Sequence, residues 1–495
     1  MPVCEPIAQD EAPASNARES GVLAEVAATA FGLVFALIFY VYRKVTLTVF
    51  SAAAGLYKAI GVAPLIRRFP TIAAALSVAS ALAAAPLADR VFSLHRPRLS
   101  TLAALAAYWL AIGVFMLSSE VLSTPPGKLE RLRAAVDARF PDRWFAGVLS
   151  HPLDAYFVRV TLNGTLLVVP ALLAIALRPP SVLTCVFCLL GQRVIAGVHE
   201  AMDHANIHNH VFQPRRDASP VAAALCRVMG FYQAYVLNIA VGRIPGWYPI
   251  QHVAVHHAED GSLDDNQTTV LRDRTSFLQY CATCTTWLAS KLFALDIAHY
   301  LLVRGRTKLL RSLVLHVAGY YLFLALLMLV SWPAALFLLF ARAFPIPDTV
   351  ITQYNWHGFV DSAQFHNPYR NTIHIASTAE LAFLGLNAHL HHHLHAACHW
   401  SELGPAGRLE EPRYRAEGAA VLLGNGRDRM RLIKLLFARS FDELAAEFAS
   451  IGEAPREDFA RLIEERTRPL VPRRWPPALE AFDRALGAAF SRVLL

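Results

Sequence analysis

One long uncharged stretch limits the fold of this chain more than any other feature. Residues 312–341 are thirty consecutive positions without an Asp, Glu, Lys or Arg side chain. A membrane-spanning helix needs about 20 mostly apolar residues, and inside a bilayer only helices and closed barrels satisfy their own backbone hydrogen bonds. Trp332 and Pro333 stand inside this stretch, and proline ends or bends a helix. The pattern predicts a hairpin of two spans, over residues 313–330 and 333–351.

Further apolar segments predict more membrane helices. Only 17% of the 495 residues are charged, whereas soluble domains carry about a quarter. Residues 160–177 and 181–198 form a second predicted hairpin, because Arg178-Pro179-Pro180 between them favours a turn. Nearer the start of the chain, the candidate membrane-associated helices are residues 21–42, 45–62, 72–88 and 102–117. The predicted fold class is an all-α multi-pass membrane protein, with two transmembrane hairpins and extra N-terminal membrane helices.

Changes in composition divide the chain into five predicted regions. In order, they are a disordered tail (1–20), N-terminal membrane helices (21–120), an amphipathic linker (121–154), a membrane domain (155–405) and a soluble helical cap (406–495). Inside the membrane domain, residues 221–241 and 277–303 predict interfacial helices, because charged residues interrupt their apolar pattern. The tail is polar and lacks the positively charged start of a signal peptide.

Charge and cysteine content exclude several classes of protein. The net charge is +8, and no Lys/Arg run interleaves with aromatic residues, so the sequence predicts basic loops at a membrane face and no nucleic-acid partner. Seven cysteines in 495 residues are too few for a disulfide scaffold. The CxxC pairs Cys185/Cys188 and Cys281/Cys284 are interpreted as small apolar helix residues, because neither has a second pair at zinc-site spacing.

Histidines are concentrated in three segments of the chain. Thirteen of the 20 lie within residues 199–210, 252–257 and 389–399. Residues three or four apart share one face of a helix, so each segment offers two or three imidazoles to a common centre. Neutral imidazole binds iron, zinc, copper and nickel, and so many imidazoles exceed the four ligands of a single zinc. The clustering therefore predicts a site for two metal ions.

The predicted hairpin over residues 313–351 brings these segments together. Two spans return the chain to the same membrane face, whereas a single span would separate the second segment from the third. Two simpler interpretations compete with a joint site. Isolated histidines serve as interface residues, which is our interpretation of His95, His151, His299 and His316. A histidine-rich tract also buffers metal loosely, but such tracts lack the ordered spacing found here.

The three segments resemble the histidine boxes of the membrane fatty-acid desaturase/hydroxylase superfamily. HEAMDH from His199 resembles the first box, HVAVHH from His252 the second, and HLHHH from His389 the third. The resemblance covers residues 155–405. It implies two iron ions at the cytoplasmic face, held by the box histidines and by one more histidine after the second hairpin. The implied ligands are His199, His204, His252, His256, His257, His389, His392, His393 and, as the additional one, His357.

The resemblance also implies residues around the metal ions. Gln353, four residues before His357, stands where related enzymes have a water-holding amide, and Asn355 competes for that role. His366 and His374 are alternatives to His357 as the additional ligand. Four histidines are surplus to the pattern and are expected to give structural support: His208, His391, His395 and His399. Four carboxylates are candidates to orient imidazoles by accepting their second N–H: Glu200, Glu259, Asp260 and Asp361.

The implied chemistry is activation of O2 at two irons and removal of hydrogen from a lipid acyl chain. Loss of a second hydrogen gives a double bond, and oxygen rebound gives an alcohol. A fatty-acid desaturase is the leading interpretation, with a lipid hydroxylase, a carotenoid oxygenase and an alkene-forming fatty-acid decarboxylase as alternatives. Electrons would come from a separate ferredoxin or haem protein, because the sequence has no pattern of a fused one.

A membrane protein that handles metal without catalysis, such as a transporter or a sensor, is the alternative from another class. It would need ionisable residues within its spans to form a pathway. Residues 160–177 and 313–330 contain none except His316, which favours the enzyme.

Overall fold

The computed structural model describes residue 136 and residues 142–177, 197–376, 384–424, 429–471 and 475–493. The predicted tail, the N-terminal membrane helices and most of the span over 181–198 lie outside these residues. In chain order, the described helices of the membrane domain are α1 (Asp142–Ala146), α2 (Ala155–Leu177), α3 (197–209), α4 (Pro220–Phe231), α5 (Asn238–Ala240), α6 (Trp247–Pro249), α7 (His257–Glu259), α8 (Phe277–Phe293), α9 (Leu295–Val303), α10 (Thr307–Ala343), α11 (Ile346–His357) and α12 (His389–Leu394). Two π-helical segments, Tyr232–Leu237 and Ile250–His256, join α4 to α5 and α6 to α7.

Helix α10 folds back on itself at Ser331. This residue has φ −154° and ψ 91°, outside the helical range, and it stands two positions before Pro333. The guanidinium carbon of Arg342 lies 5.9 Å from the centre of the Tyr320 ring. A straight helix would place these residues about 33 Å apart, at 1.5 Å per residue. The two legs of α10 therefore run antiparallel and bring its flanking segments to the same end.

Three described segments are long and apolar enough to cross a membrane. They are Pro152–Leu173, Pro220–Ala240 and Thr307–His357. Helices α8 and α9, bent by 74°, make a fourth if they form one broken span. The sequence predicted interfacial helices over the second and the fourth of these segments. Val221 and Phe231 are 71% and 61% exposed, and exposed apolar side chains of this size mark a surface that contacts lipid or another apolar partner.

A small sheet departs from the all-α expectation. Its strands, β1 (Ile373–Ala376), β2 (Ala420–Leu423) and β3 (Phe448–Ser450), lie in the order β1-β2-β3. β1 and β2 are parallel, with Ile373 opposite Ala420, and β2 and β3 are antiparallel. Apolar runs as short as these cannot be assigned from periodicity, because a buried strand and a buried helical turn look alike. The sheet joins the chain before α12 to the predicted cap.

The predicted cap packs directly against the membrane domain. Its helices are α13 (Leu403–Ala416), α14 (Arg429–Ala438), α15 (Phe441–Ala446), α16 (Phe459–Thr467) and α17 (Pro477–Val493). Phe277 of α8 lies 5.8 Å from Phe437 and 4.6 Å from Phe490, measured between ring centres. The Asp483 carboxylate also accepts the backbone N–H of Leu278, at 2.8 Å. The two regions therefore share one apolar core.

A buried ion pair ties α1 to α2. Arg159 Nη1 lies 2.6 Å from Asp142 Oδ2, and both side chains are almost completely buried. A buried charge is tolerated only when it is paired, because its removal from water costs several kcal/mol. The pair therefore fixes the start of the first described membrane helix.

Candidate metal centre

Nine histidines meet in two clusters within the described residues. The five-histidine cluster contains His204, His208, His252, His257 and His392, and the four-histidine cluster contains His256, His357, His389 and His393. In each cluster, one ring nitrogen from every member lies within 4.8 Å of the others. Eight of the nine are predicted ligands, the ninth is His208, and the predicted ligand His199 belongs to neither cluster.

Helix α3 positions the histidines of the first segment. His204 and His208 share one face of the helix, and their ring centres lie 4.9 Å apart. Both rings contact His392, with centre distances of 4.7 and 4.6 Å. His199 faces Asn238 instead, with 2.9 Å between its Nε2 and the Asn238 Oδ1. The HxxxH spacing of His204 and His208 was the sequence signal for this pair, and the HxxxxH match to His199 obscured it.

The second segment divides its histidines between the clusters because it is π-helical. In Ile250–His256 the helix widens, and the backbone N–H of His257 donates to the carbonyl of His252, five residues earlier. The Nε2 atoms of His252 and His257 therefore lie 3.1 Å apart in the five-histidine cluster. His256 points to the four-histidine cluster, where its ring centre lies 5.0 Å from that of His393. The sequence predicted a shared α-helical face for His252 and His256, which the π-helical hydrogen bonding replaces.

The third segment, on α12, lies between the clusters. His389 and His393 are four residues apart and face the four-histidine cluster, while His392 faces the other. His357, the last residue of α11, places its Nε2 3.0 Å from His389 Nε2. The rings of His257 and His393 stack with their centres 4.4 Å apart, although they belong to different clusters. The two clusters are therefore adjacent.

The buried carboxylate of Asp265 contacts the Nδ1 side of the His256 imidazole. Asp265 Oδ2 lies 2.8 Å from His256 Nδ1 and also accepts the backbone N–H of Gly261. The other oxygen, Oδ1, accepts the N–H of Gln267 at 2.8 Å. A ligand histidine usually gives its second N–H to such an acceptor, which fixes the tautomer and the ring orientation. Sequence reasoning missed Asp265, because it lies in a loop with no helical spacing to His256.

Two more rings of the four-histidine cluster have acceptors near Nδ1. His357 Nδ1 lies 3.0 Å from the backbone carbonyl oxygen of Asn371. His393 Nδ1 lies 2.7 Å from Asp260 Oδ1, although the two atoms are not aligned as a hydrogen bond. These contacts leave each Nε2 directed toward the shared centre. Asp260 is one of the carboxylates that the sequence suggested for this role.

The clusters fit metal ions better than they fit hydrogen bonding alone. The Nε2 atoms of His204, His392 and His393 are buried and have no hydrogen-bond partner. Such orphaned atoms are rare in proteins, and a metal ion would satisfy several of them at once. Burial lowers the pKa of His204, His252 and His257 well below the ordinary imidazole value. The rings are therefore neutral at pH 7, which is the form that binds metal.

The other predicted site residues lie around the clusters. The side-chain amide of Gln353 donates to the backbone carbonyl of Gln267 at 3.2 Å. Asn355 is buried, and its Oδ1 has no hydrogen-bond partner among the described residues. Neither alternative to His357 belongs to a cluster, since His366 is exposed and His374 is buried beside Tyr414.

Three of the four suggested carboxylates contact cations rather than imidazoles. The pairs are Glu200 with Arg243 and Lys291 at 3.9 Å each, Glu259 with Arg304 at 3.2 Å, and Asp361 with Arg466 at 3.0 Å. Among the surplus histidines, His391 Nδ1 lies 2.6 Å from the Tyr414 hydroxyl, and His395 is exposed. The contact of His391 with Tyr414 links α12 to α13.

The carboxylate behind His256 provides a first test of the centre. Asp265→Asn is expected to weaken metal binding by about 10- to 100-fold, because the amide supports the imidazole less well than the carboxylate does. The measurement is the metal retained per chain during titration with a chelator. Asp264→Asn is the matched control, since Asp264 pairs with Arg304 at the exposed surface, 2.6 Å away. Equal metal retention by the two variants would contradict the assigned role of Asp265.

His374 makes the folded chain sensitive to acid. It is buried, neither ring nitrogen has a hydrogen-bond partner, and burial lowers its pKa to about 3. Below pH 6.5 the unfolded chain binds a proton that the folded chain does not, so stability falls by about 1.4 kcal/mol per pH unit. Because the unfolded imidazole is only half protonated at pH 6.5, the wild type should lose about 1.6 kcal/mol more than His374→Leu between pH 6.5 and 5. Denaturant unfolding at both pH values measures this, and His366→Leu, at an exposed position, should behave as the wild type.

Comparison with known proteins agrees with this geometry. The family model described as "Fatty acid desaturase" matches residues 180–423, which contain all three histidine segments and both clusters. A comparison with curated proteins finds no significant match to the chain. The family is metal-dependent and associated with membranes and lipid substrates, consistent with the apolar helices and the buried histidines. Residues 180–423 of this chain thus match the membrane fatty-acid desaturase/hydroxylase family.

Proposed function

We propose that this protein is an O2-dependent di-iron oxidoreductase that removes hydrogen from a lipid acyl chain and acts as a fatty-acid desaturase. The observation that carries the proposal is the pair of adjacent, all-imidazole clusters. The proposed ligands are the five and the four histidines of the two clusters, with His208 in place of His199. Bound iron would supply O2 activation and the removal of hydrogen from the substrate. The metal identity rests on the family, because imidazole also suits zinc, copper and nickel.

The protein's own residues keep the rings in place and the centre dry. Trp356 stacks on His389 with 4.1 Å between ring centres, and Tyr248 stacks on His252 at 5.1 Å. These flat contacts limit ring rotation, and the acceptors near Nδ1 fix the tautomers. His256, His357 and His389 are each only 1% exposed, which excludes bulk water from the four-histidine cluster. Exclusion of water protects reactive oxygen chemistry from side reactions.

The fold-back of α10 supports a site on one membrane face. The fold-back brings both ends of the Thr307–His357 segment to one end of α10, and histidines of all three boxes meet in the two clusters. We propose two transmembrane hairpins, over 160–198 and 313–351, preceded by further N-terminal membrane helices, with the site at the cytoplasmic face. We also propose that residues 155–405 form a membrane domain and residues 406–495 a cap. Electrons would reach this face from a separate ferredoxin or haem protein.

The experiment compares lipids from cells with and without the protein. Expression should produce a new double bond in acyl chains, only when O2 is present, together with about two irons per purified chain. His256→Ala and His393→Ala should abolish the product, because each removes a buried cluster ring. His299→Ala, at an exposed position outside the clusters, should leave the product unchanged.

The product of this experiment also separates the alternatives. An alcohol would indicate a lipid hydroxylase, and an oxidised carotenoid would indicate a carotenoid oxygenase. A terminal alkene formed with loss of CO2 would indicate a fatty-acid decarboxylase. Lipids that stay the same in His256→Ala and wild-type cells would refute the enzymatic proposal.

A further inference from the structure

A third group of metal-binding side chains lies apart from the two clusters. His399 Nε2 lies 3.1 Å from Asp154 Oδ1, and the ring centres of His399 and His151 are 3.7 Å apart. One ligand atom from each of the three side chains lies within 4.8 Å of the other two. We propose that His151, Asp154 and His399 bind a third metal ion, a divalent ion of the zinc class.

The local backbone brings the three ligands to one point. His151 precedes the short 3-10 turn Pro152–Asp154, which leads into α2 and ends at Asp154, and the backbone N–H of Asp154 donates to the carbonyl of His151 at 3.1 Å. His399 is the last residue of the third histidine segment, 389–399, and comes from a distant part of the chain. Two ligands on a tetrahedral zinc lie about 3.3 Å apart, given bonds of 2.0–2.2 Å. The 3.1 Å separation between His399 Nε2 and Asp154 Oδ1 matches this spacing.

The surroundings supply the partners that such ligands need. His399 Nδ1 lies 2.8 Å from the Ser401 hydroxyl, and Asp154 Oδ1 accepts the indole N–H of Trp400 at 2.8 Å. Hydrogen bonds behind the ligands orient them and are typical of protein metal sites. His399 is partly exposed, with 18% of its side chain accessible, so a metal ion has a route of entry. Two imidazoles and one carboxylate leave a fourth position for water.

The third ion would stabilise the main centre indirectly. Asn209, next to the cluster residue His208, donates to the carbonyl of Cys398 and accepts the backbone N–H of Trp400, both at 3.0 Å. The segment that carries His399 thus already contacts α3. An ion shared with His151 would fix the same segment to the start of α2. The proposed role is structural, holding two histidine segments against the first described membrane helix.

Hydrogen bonding alone is the competing explanation. The backbone N–H of Ser401 lies 3.3 Å from His399 Nδ1. If it donates there, Nε2 carries the proton and donates to Asp154, which leaves no lone pair for a metal. Metal binding requires the other tautomer, in which Nδ1–H donates to the Ser401 hydroxyl. The two explanations predict different numbers of bound ions.

The test counts ions in the full-length purified protein after dialysis against Zn²⁺. The expected difference is one ion per chain between the wild type and His151→Ala, and the same difference for Asp154→Asn, which keeps an acceptor for Trp400. His395→Ala is the control, because His395 is exposed on the same segment, and it should bind as many ions as the wild type. Only the difference is used, so the result does not depend on occupancy of the two clusters or on the proposed desaturase activity.

A second readout uses Co²⁺ in place of Zn²⁺. The visible absorption of bound Co²⁺ should lose one component in His151→Ala and keep it in His395→Ala. Equal ion counts and equal spectra for the wild type and both ligand variants would overturn the third site. Thermal unfolding of each variant without metal establishes that any lost ion reflects a lost ligand and not a lost fold.

Discussion

His208→Ala is expected to lower activity by at least about 100-fold and to release one of the two metal ions, whereas His199→Ala should retain both. We set this lower limit from residues that only hydrogen-bond to a metal ligand. Mutation of such a residue already lowers metal affinity or activity by about 10- to 100-fold. His208 is one of five rings in its cluster, while His199 is bonded to Asn238 at 2.9 Å. Loss of that hydrogen bond should cost about 1 kcal/mol of stability without removing metal.

The comparison separates the two possible pairings in the first box. Iron per chain and the rate of O2-dependent product formation are measured for both variants under the same conditions. The sequence pattern favours His199 with His204, and the structure favours His204 with His208. If His199→Ala loses the metal and His208→Ala keeps it, the five-histidine cluster is not the ligand set.

Asp142→Ala is expected to lower the free energy of unfolding by about 3–5 kcal/mol, because it leaves Arg159 buried without its carboxylate. The two side chains are 0% and 2% exposed and lie 2.6 Å apart. The control is Asp217→Ala, which breaks an exposed pair with Arg215 at 2.8 Å and should cost at most about 1 kcal/mol. Denaturant unfolding in detergent measures both effects.

A double variant tests the reason for the loss. Asp142→Ala combined with Arg159→Leu removes the stranded charge, so it should recover much of the stability, as replacement of buried ion pairs by apolar groups does elsewhere. Equal stabilities for Asp142→Ala and Asp217→Ala would show that the buried pair contributes no more than the exposed one.

The sequence predicted those parts of the site that depend on short-range spacing along a helix, and it missed those that depend on the path of a loop. His389 and His393 share a cluster because four-residue spacing on an α-helix places them on one face. The sequence predicted a turn at Trp332-Pro333 because proline disfavours a continuous helix. The break lies at Ser331, next to these two residues. Asp265 was not predictable, because its contact with His256 depends on the path of a loop. The short strands escaped detection because three or four apolar residues have no distinctive period.

The π-helical segment Ile250–His256 makes the second box equivalent to the third, although it is one residue longer. On α12 the first and last histidines of HxxHH share one cluster, and the middle one turns to the other. In HxxxHH the extra residue is absorbed by the wider turn, so the first and last histidines again share a cluster. Deletion of one residue between His252 and His256 should thus convert the turn to α-helix and keep the same division of rings. Box length and helix type are therefore coupled in this chain, since the longer box is the one that is π-helical.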